Sequence, residues 1–184
     1  MAKDDNKGQT VKAGHTTFKI IDALQELDGA GVTDLADYLN IPKSTIHSHL
    51  KTLQENEYVV VDESNTYELS LKFLQRGWYR WRTYPGNLPQ LAEPVLERVA
   101  DETEEVVWLL AEEYGCAVYL NKAIGERGTP TTPTENHIGK RQEIHNIAAG
   151  KAILAHLPEQ RVNEIIENHG LPKRTDNTIT SRDA

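Results

Sequence analysis

Apolar residues recur at helical spacing once the polar N-terminal stretch is passed. Phe18, Ile21, Leu24 and Leu27 lie three apart and Gly29 follows as a stop, which predicts a first helix over 16–27. A second, short helix is expected over 32–39, with Thr33 able to cap it and Leu35, Ala36 and Leu39 on one face. Asn40, Ile41 and Pro42 end it, because Asn tolerates left-handed backbone and Pro cannot continue a helix yet fits the entry to a new one. Ile46, Leu50 and Leu53 then mark the buried side of a third helix that stops near Glu55 and Asn56. The β-branched run at 58–61, a polar turn at 62–65 and a second strand at 66–69 make a hairpin. Helix, short helix, tight turn, helix and hairpin is the order of a winged helix-turn-helix.

Residues 70–84 read as a helix with an aliphatic and aromatic stripe beside a basic face, broken by Pro85 and Gly86. Trp78 and Trp81, three apart, predict a buried seam that could pack against the same helix of a second copy. Another helix is expected over 88–104 with Leu91, Val95, Leu96 and Val99 apolar, followed by strands at 106–111 and 117–124 around a turn at 112–115. The Gly-, Pro- and Thr-rich stretch 125–137 reads as a loop and 138–146 as a strand. Helices are expected over 147–157, through Ala148, Ala152 and Ala155, and over 159–168 before Gly170 and Pro172. The predicted class is therefore α+β: a disordered arm (1–14), a winged helix-turn-helix (15–69), a linker helix (70–86) and a C-terminal α/β sensor domain (87–184).

The net charge of −8 opposes nucleic-acid binding unless its distribution rescues it. Residues 70–84 hold Lys72, Arg76, Arg80 and Arg82 with no acid, and the acids crowd elsewhere, as on a surface adapted to high salt. No apolar run is long enough to cross a membrane and the N-terminus lacks an apolar signal core, so a cytoplasmic protein without membrane contact is expected. The single cysteine, Cys116, cannot form an internal disulfide or by itself a thiolate zinc cage.

A recognition helix must offer donors and acceptors to base edges and phosphates, and the third helix does. Lys43, Ser44, Thr45, His47, Ser48, Lys51 and Thr52 lie off its apolar stripe and none is acidic. Any surface helix has a polar face, but one free of acids within an acidic chain is better explained by phosphate proximity. Arg76 and Arg80 of the linker helix are candidate flanking contacts. Enzyme chemistry finds little support. His47 and His49 point to nearly opposite sides of a helix and cannot share a metal. Cys116 with His145 lacks the flanking pattern of a nucleophile and base, and Gly125, Gly128 and Gly139 do not open a helix as a phosphate loop would. No catalytic group, metal or cofactor is assigned.

Two segments carry a resemblance: Val32 to Ala36 with Leu39 to His47 and Leu50 to Leu53, and Gly139-Lys140-Arg141 with Ile144 to Ala155. Together they resemble the IclR family of transcription regulators, which pair a winged helix-turn-helix with a GAF-like domain that binds small molecules. The resemblance implies that Ser44, Thr45, His47, Lys51 and Thr52 face DNA and that Gly139 and His145 border an effector cavity. It also implies a homodimer or tetramer on a double-stranded DNA operator, answering a small-molecule effector. The chain departs from the family at Ser48, where Arg is frequent, and at His49, where an aliphatic residue is usual. It departs again in the acidic wing tip Asp62-Glu63, and in stopping soon after Thr180, where family members continue through more sheet. An incomplete sensor domain with impaired ligand response is the expectation that follows. A winged-helix module that contacts protein instead of DNA is the alternative.

Overall fold

In the computed structural model, which describes residues 10–129 and 137–182, the chain divides into two units, residues 1–78 and 79–184. Helix α1 (Lys12–Glu26) starts earlier than periodicity alone predicts. Lys12 to Gly14 are therefore helical and not part of an arm, and residues 1–9 lie outside the described residues. The hydroxyls of Thr16 and Thr17 fold back onto the carbonyls of Lys12 and Ala13, so this polar first turn is compatible with helix. Its buried stripe is Ile20, Ala23 and Leu24. Phe18, expected on that stripe, lies across the helix and is exposed.

Helix α2 (Val32–Leu39) is capped not by Thr33 but by its N3 residue: the Gly31 N–H donates to Asp34 Oδ2 at 3.2 Å. Asn40 takes the left-handed conformation (φ 52°) that ends α2, and Pro42 opens α3 (Lys43–Glu55), as its sequence demands. Ile46, Leu50 and Leu53 of α3 meet Ile20, Leu24, Leu35 and Val59 in one core. Burying large aliphatic side chains of this kind contributes roughly 1.5–3 kcal/mol each. Strands β1 (Val59–Val61) and β2 (Tyr67–Leu69) pair antiparallel, Val59 opposite Leu69, and Ala30 bridges to Tyr67, adding one more rung to the wing.

Helix α4 (Lys72–Arg82) begins by donating from Lys72 Nζ to the Asn56 carbonyl at 2.7 Å, while Phe73 packs edge to face on Tyr58. None of its residues is buried, and Trp78 is 56% exposed. Trp81, expected beside Trp78 on a buried seam, is half-buried.

The second unit places α5 (Leu88–Thr103) against a three-stranded antiparallel sheet of order β3-β4-β5. Pro89, Leu96 and Ala100 are the buried side of α5, whereas Leu91 and Val95, expected there, are exposed. Strands β3 (Val106–Glu113) and β4 (Cys116–Ile124) run closer together than predicted. Tyr114 and Gly115, with φ 51° and 76°, turn between them in two residues, and this pair of left-handed residues matches the twist of a hairpin. A side chain at Gly115 would also meet the His169 ring at 2.6 Å.

The strand expected over 138–146 is reduced to β5 (Arg141–Glu143). Ile138 and Gly139 form a turn with Gly139 at φ 90°, and Ile144–Asn146 is a 3-10 turn, so the backbone leaves the sheet on both sides. Helices α6 (Ala148–His156) and α7 (Glu159–His169) follow. The alanine spacing that predicted α6 marks its outer side: Ala148, Ala152 and Ala155 are exposed, while Gly150 is buried and Ile153, Leu154 and Leu157 pack on Ala117, Ile144 and Ile165.

Arg161 of α7 donates to Glu112 of β3 at 2.7 Å. Partial burial pushes the Glu112 carboxyl up, but the Arg161 guanidinium and the Gly115 N–H together outweigh it and hold the group below the ordinary carboxylate range. Among the described residues no helix is long and apolar enough to cross a membrane.

Candidate nucleic-acid interface and ligand hollow

The α3 core stripe fixes which side of the helix is left outside. Lys43, Ser44, His47, Ser48, Lys51 and Thr52 are exposed and Thr45 is half-buried, so the candidate recognition face exists as one continuous strip. The hydroxyls of Ser48 and Thr52 donate to the carbonyls one turn back, Ser44 at 2.9 Å and Ser48 at 3.0 Å. Their lone pairs stay directed outward, and each hydroxyl can rotate to donate instead. Lys43 Nζ donates to Thr33 Oγ1 at 3.1 Å. Lys51 lies 3.9 Å from Glu55 with both side chains largely in water, a contact of roughly 0–1 kcal/mol that a phosphate could replace.

His49 occupies an inward position of α3 and is half-buried. Its Nδ1 is 2.8 Å from Thr17 Oγ1 on α1. The Thr17 hydroxyl also lies 3.0 Å from the Ala13 carbonyl, so with its hydrogen directed there it accepts from His49 Nδ1, and turned the other way it donates to that nitrogen. Thr17 thus accommodates the polar residue that breaks the apolar stripe, a partnership that sequence reasoning missed. The available signal was a Thr, where an apolar residue would serve, on the helix that packs against α3. Replacing Thr17 by Val should lower the stability of the first unit by about 1 kcal/mol, read from the urea midpoint, since the half-buried histidine Nδ1 loses its hydrogen-bond partner. An unchanged midpoint would show that the contact is dispensable.

The wing is held by its acid. Asp62 accepts the Ser64 N–H at 2.9 Å, the Thr66 N–H at 2.8 Å and the Ser64 hydroxyl at 2.7 Å. The Thr66 N–H above all, with the Ser64 hydroxyl, holds the Asp62 carboxyl below the ordinary range. These bonds favour the charged carboxylate at the wing tip.

On α4, Arg76 is exposed. Arg80 donates to Glu113 Oε1 at 3.3 Å and lies over the Tyr84 ring at 4.9 Å, both within the second unit. The two arginines therefore belong to different units, Arg76 to the first and Arg80 to the second.

The second unit contains an open hollow of about 530 Å³ lined by Val106, Trp108 and Leu110 of β3, Tyr119 of β4, and Ile147 and Ala149 at the start of α6, among others. Trp108 and Tyr119 meet edge to face with centroids 5.0 Å apart. Neither Gly139 nor His145 lines it. His145 is buried, with Nε2 3.1 Å from the Pro172 carbonyl, and it borders a separate cleft of about 40 Å³ that also includes Cys116 and His169. Gly139 sits in its open turn, donating its N–H to the Tyr119 carbonyl at 2.8 Å. Among the described residues no group of three or more His, Cys, Asp or Glu could hold a metal ion.

Two sequence families match. The IclR helix-turn-helix domain aligns with residues 17–63 and the bacterial transcriptional regulator IclR C-terminal domain with residues 85–184. The "Probable HTH-type transcriptional regulator ArcR" of Halobacterium salinarum is 31% identical over 186 residues, covering 100% of this chain and 69% of its own length. The HTH-type transcriptional regulator KipR of Bacillus subtilis is 28% identical, covering 81% of this chain and 58% of its own length. Among solved structures, the Thermotoga maritima IclR superposes with a TM-score of 0.62 at 25% identity, covering 92% of this chain and 67% of that one. The chain thus spans roughly three fifths to two thirds of the length of the relatives it matches.

Proposed function

From the premise that the chain belongs to the IclR family of transcription regulators, we propose that it binds double-stranded operator DNA through α3 and answers a small molecule held in the second unit. The observation that carries the DNA reading is the acid-free exposed strip from Lys43 to Thr52 in a chain of net charge −8. Its first turn contains no acid, so the positive end of the helix and the Lys43 ammonium face an approaching phosphate together. Ser44, Thr45, His47, Ser48 and Thr52 then supply base-edge contacts and Lys51 a backbone contact, with Arg76 flanking. Arg80 can flank only by leaving Glu113. The acidic wing stays back from the duplex.

A homodimer places two such helices in successive major grooves of a near-palindromic site, and the exposed Leu71 just before α4, with Leu74 and Trp78 on it, is apolar surface for a second copy to cover. The effector site is the hollow beside Trp108 and Tyr119, whose walls are chiefly apolar, in preference to the surroundings of Gly139 and His145. The protein acts in the cytoplasm and catalyses no reaction.

Binding to DNA from upstream of its own coding sequence tests this reading. The logarithm of the affinity should fall linearly with the logarithm of salt concentration, with a slope of about −0.9 for each phosphate neutralised, and footprinting should give two protected half-sites about one helical turn apart. Affinity that is flat or rises with salt, without protection, favours the protein-interaction alternative.

A further inference from the structure

Strands β3 and β4 pair in step from Val106 opposite Ile124 to Leu109 opposite Asn121, and again from Leu110 opposite Tyr119 to Glu113 opposite Cys116. Leu120 is skipped: it is the extra residue of a β-bulge. A bulged residue stands outside the ladder, and its polar groups are open to other partners. Here the partner is the Trp81 indole at the end of α4, whose Nε1–H donates to the Leu120 carbonyl at 2.6 Å.

The residues on either side are engaged as well. Tyr119 lines the hollow and packs against Trp108, while Asn121 Nδ2 donates to the Pro89 carbonyl at the start of α5, 3.0 Å away. Three consecutive residues of β4 thus serve the hollow, the last turn of α4 and the first turn of α5.

We propose that Trp81 is the positioning residue through which occupancy of the hollow acts on α4, with the Leu120 bulge as the moving part. The proposal rests on the reading of that hollow as the effector site. A ligand against Tyr119 turns the peptide at Leu120, the one residue of 119–121 outside the pairing with β3, while Tyr119 itself stays tied to Gly139 and Lys140 through main-chain bonds. The Leu120 carbonyl turns with it, and the half-buried indole N–H must follow or lose its acceptor, which a desolvated donor does not do without cost. Arg80 adds a second hold through Glu113, which also accepts from Arg141 at 3.1 Å. That cluster is exposed and screened, so the indole bond dominates. The segment so moved leads directly back into the DNA-binding unit.

Ala149→Phe, which fills the hollow from α6, and Thr103→Phe, which fills it from α5, serve as built-in occupants. The chain has three tryptophans, and with indole-labelled protein each gives one N–H resonance. In the filled variants the Trp81 resonance should move. Titration of the upstream DNA should show affinity changed by about fivefold on filling, and the change should vanish in a Trp81→Phe background, which keeps the ring but lacks the donor.

An unmoved Trp81 resonance in both filled variants overturns the proposal whatever the DNA result, and so does an equal affinity change with and without the indole. A moved resonance in a chain that gives no footprint sustains the relay and removes the DNA reading. The resonance measurement does not require the Trp81→Phe variant to fold.

Discussion

Lys51→Glu should weaken operator binding by about 100-fold in an anisotropy titration at low salt, and Lys51→Gln by about tenfold. The glutamine variant loses one phosphate contact, and the glutamate variant adds repulsion at the same place. The side chain is exposed and its contact with Glu55 is long, so neither change should disturb the core of Ile46, Leu50 and Leu53. Equal melting temperatures would confirm that point. The salt slope should also shrink by close to one phosphate in the glutamine variant. If the glutamate variant binds within about threefold of the parent, Lys51 does not meet the duplex, and the orientation given to α3 is wrong.

Gly150→Ala should cost stability at least at the upper end of the usual overpacking range, about 3 kcal/mol, although alanine is the better helix former by about 1 kcal/mol. A Cβ there would lie 2.0 Å from the Ile144 carbonyl oxygen and 2.8 Å from its carbon, so the obstruction is backbone and cannot rotate away. α6 would have to lift from the 3-10 turn that carries Ile144 and His145, opening the cluster it shares with Ile165. Chemical denaturation followed by far-ultraviolet circular dichroism measures the loss. A stability equal to or above the parent's would mean that α6 has room to move outward at no cost.

The first unit was readable because each of its signals is local. Asn40 followed two residues later by Pro42, and the stripe Ile46, Leu50 and Leu53, specify a turn and a buried side without reference to distant parts of the chain. The second unit was less so. Its α6 has small residues on both sides, so the alanine spacing suggested the wrong inward face, and only the close approach of Gly150 to Ile144 identifies the true one.

The long strand expected before α6 failed for a related reason. Ile138 and Ile144 have the composition of strand residues, but Gly139 with a left-handed backbone and the turn at Ile144 bend the chain out of the sheet. Within the candidate interface, the strip from Lys43 to Thr52 was visible as a lack of acids. The Thr17 partner of His49 was not, because it pairs residues 32 apart on different helices. The hollow beside Trp108 is assembled from α5, both long strands and the start of α6, and a set so scattered leaves no spacing in the sequence to detect.

Helix α4 has eleven residues, a glycine at its middle and no buried side chain. A lone helix of that length sits near the balance between helix and coil in water. Its order is consequently lent by what happens at its two ends. Free energies no larger than one hydrogen bond, too small to loosen either core, are enough to decide how many of its turns persist.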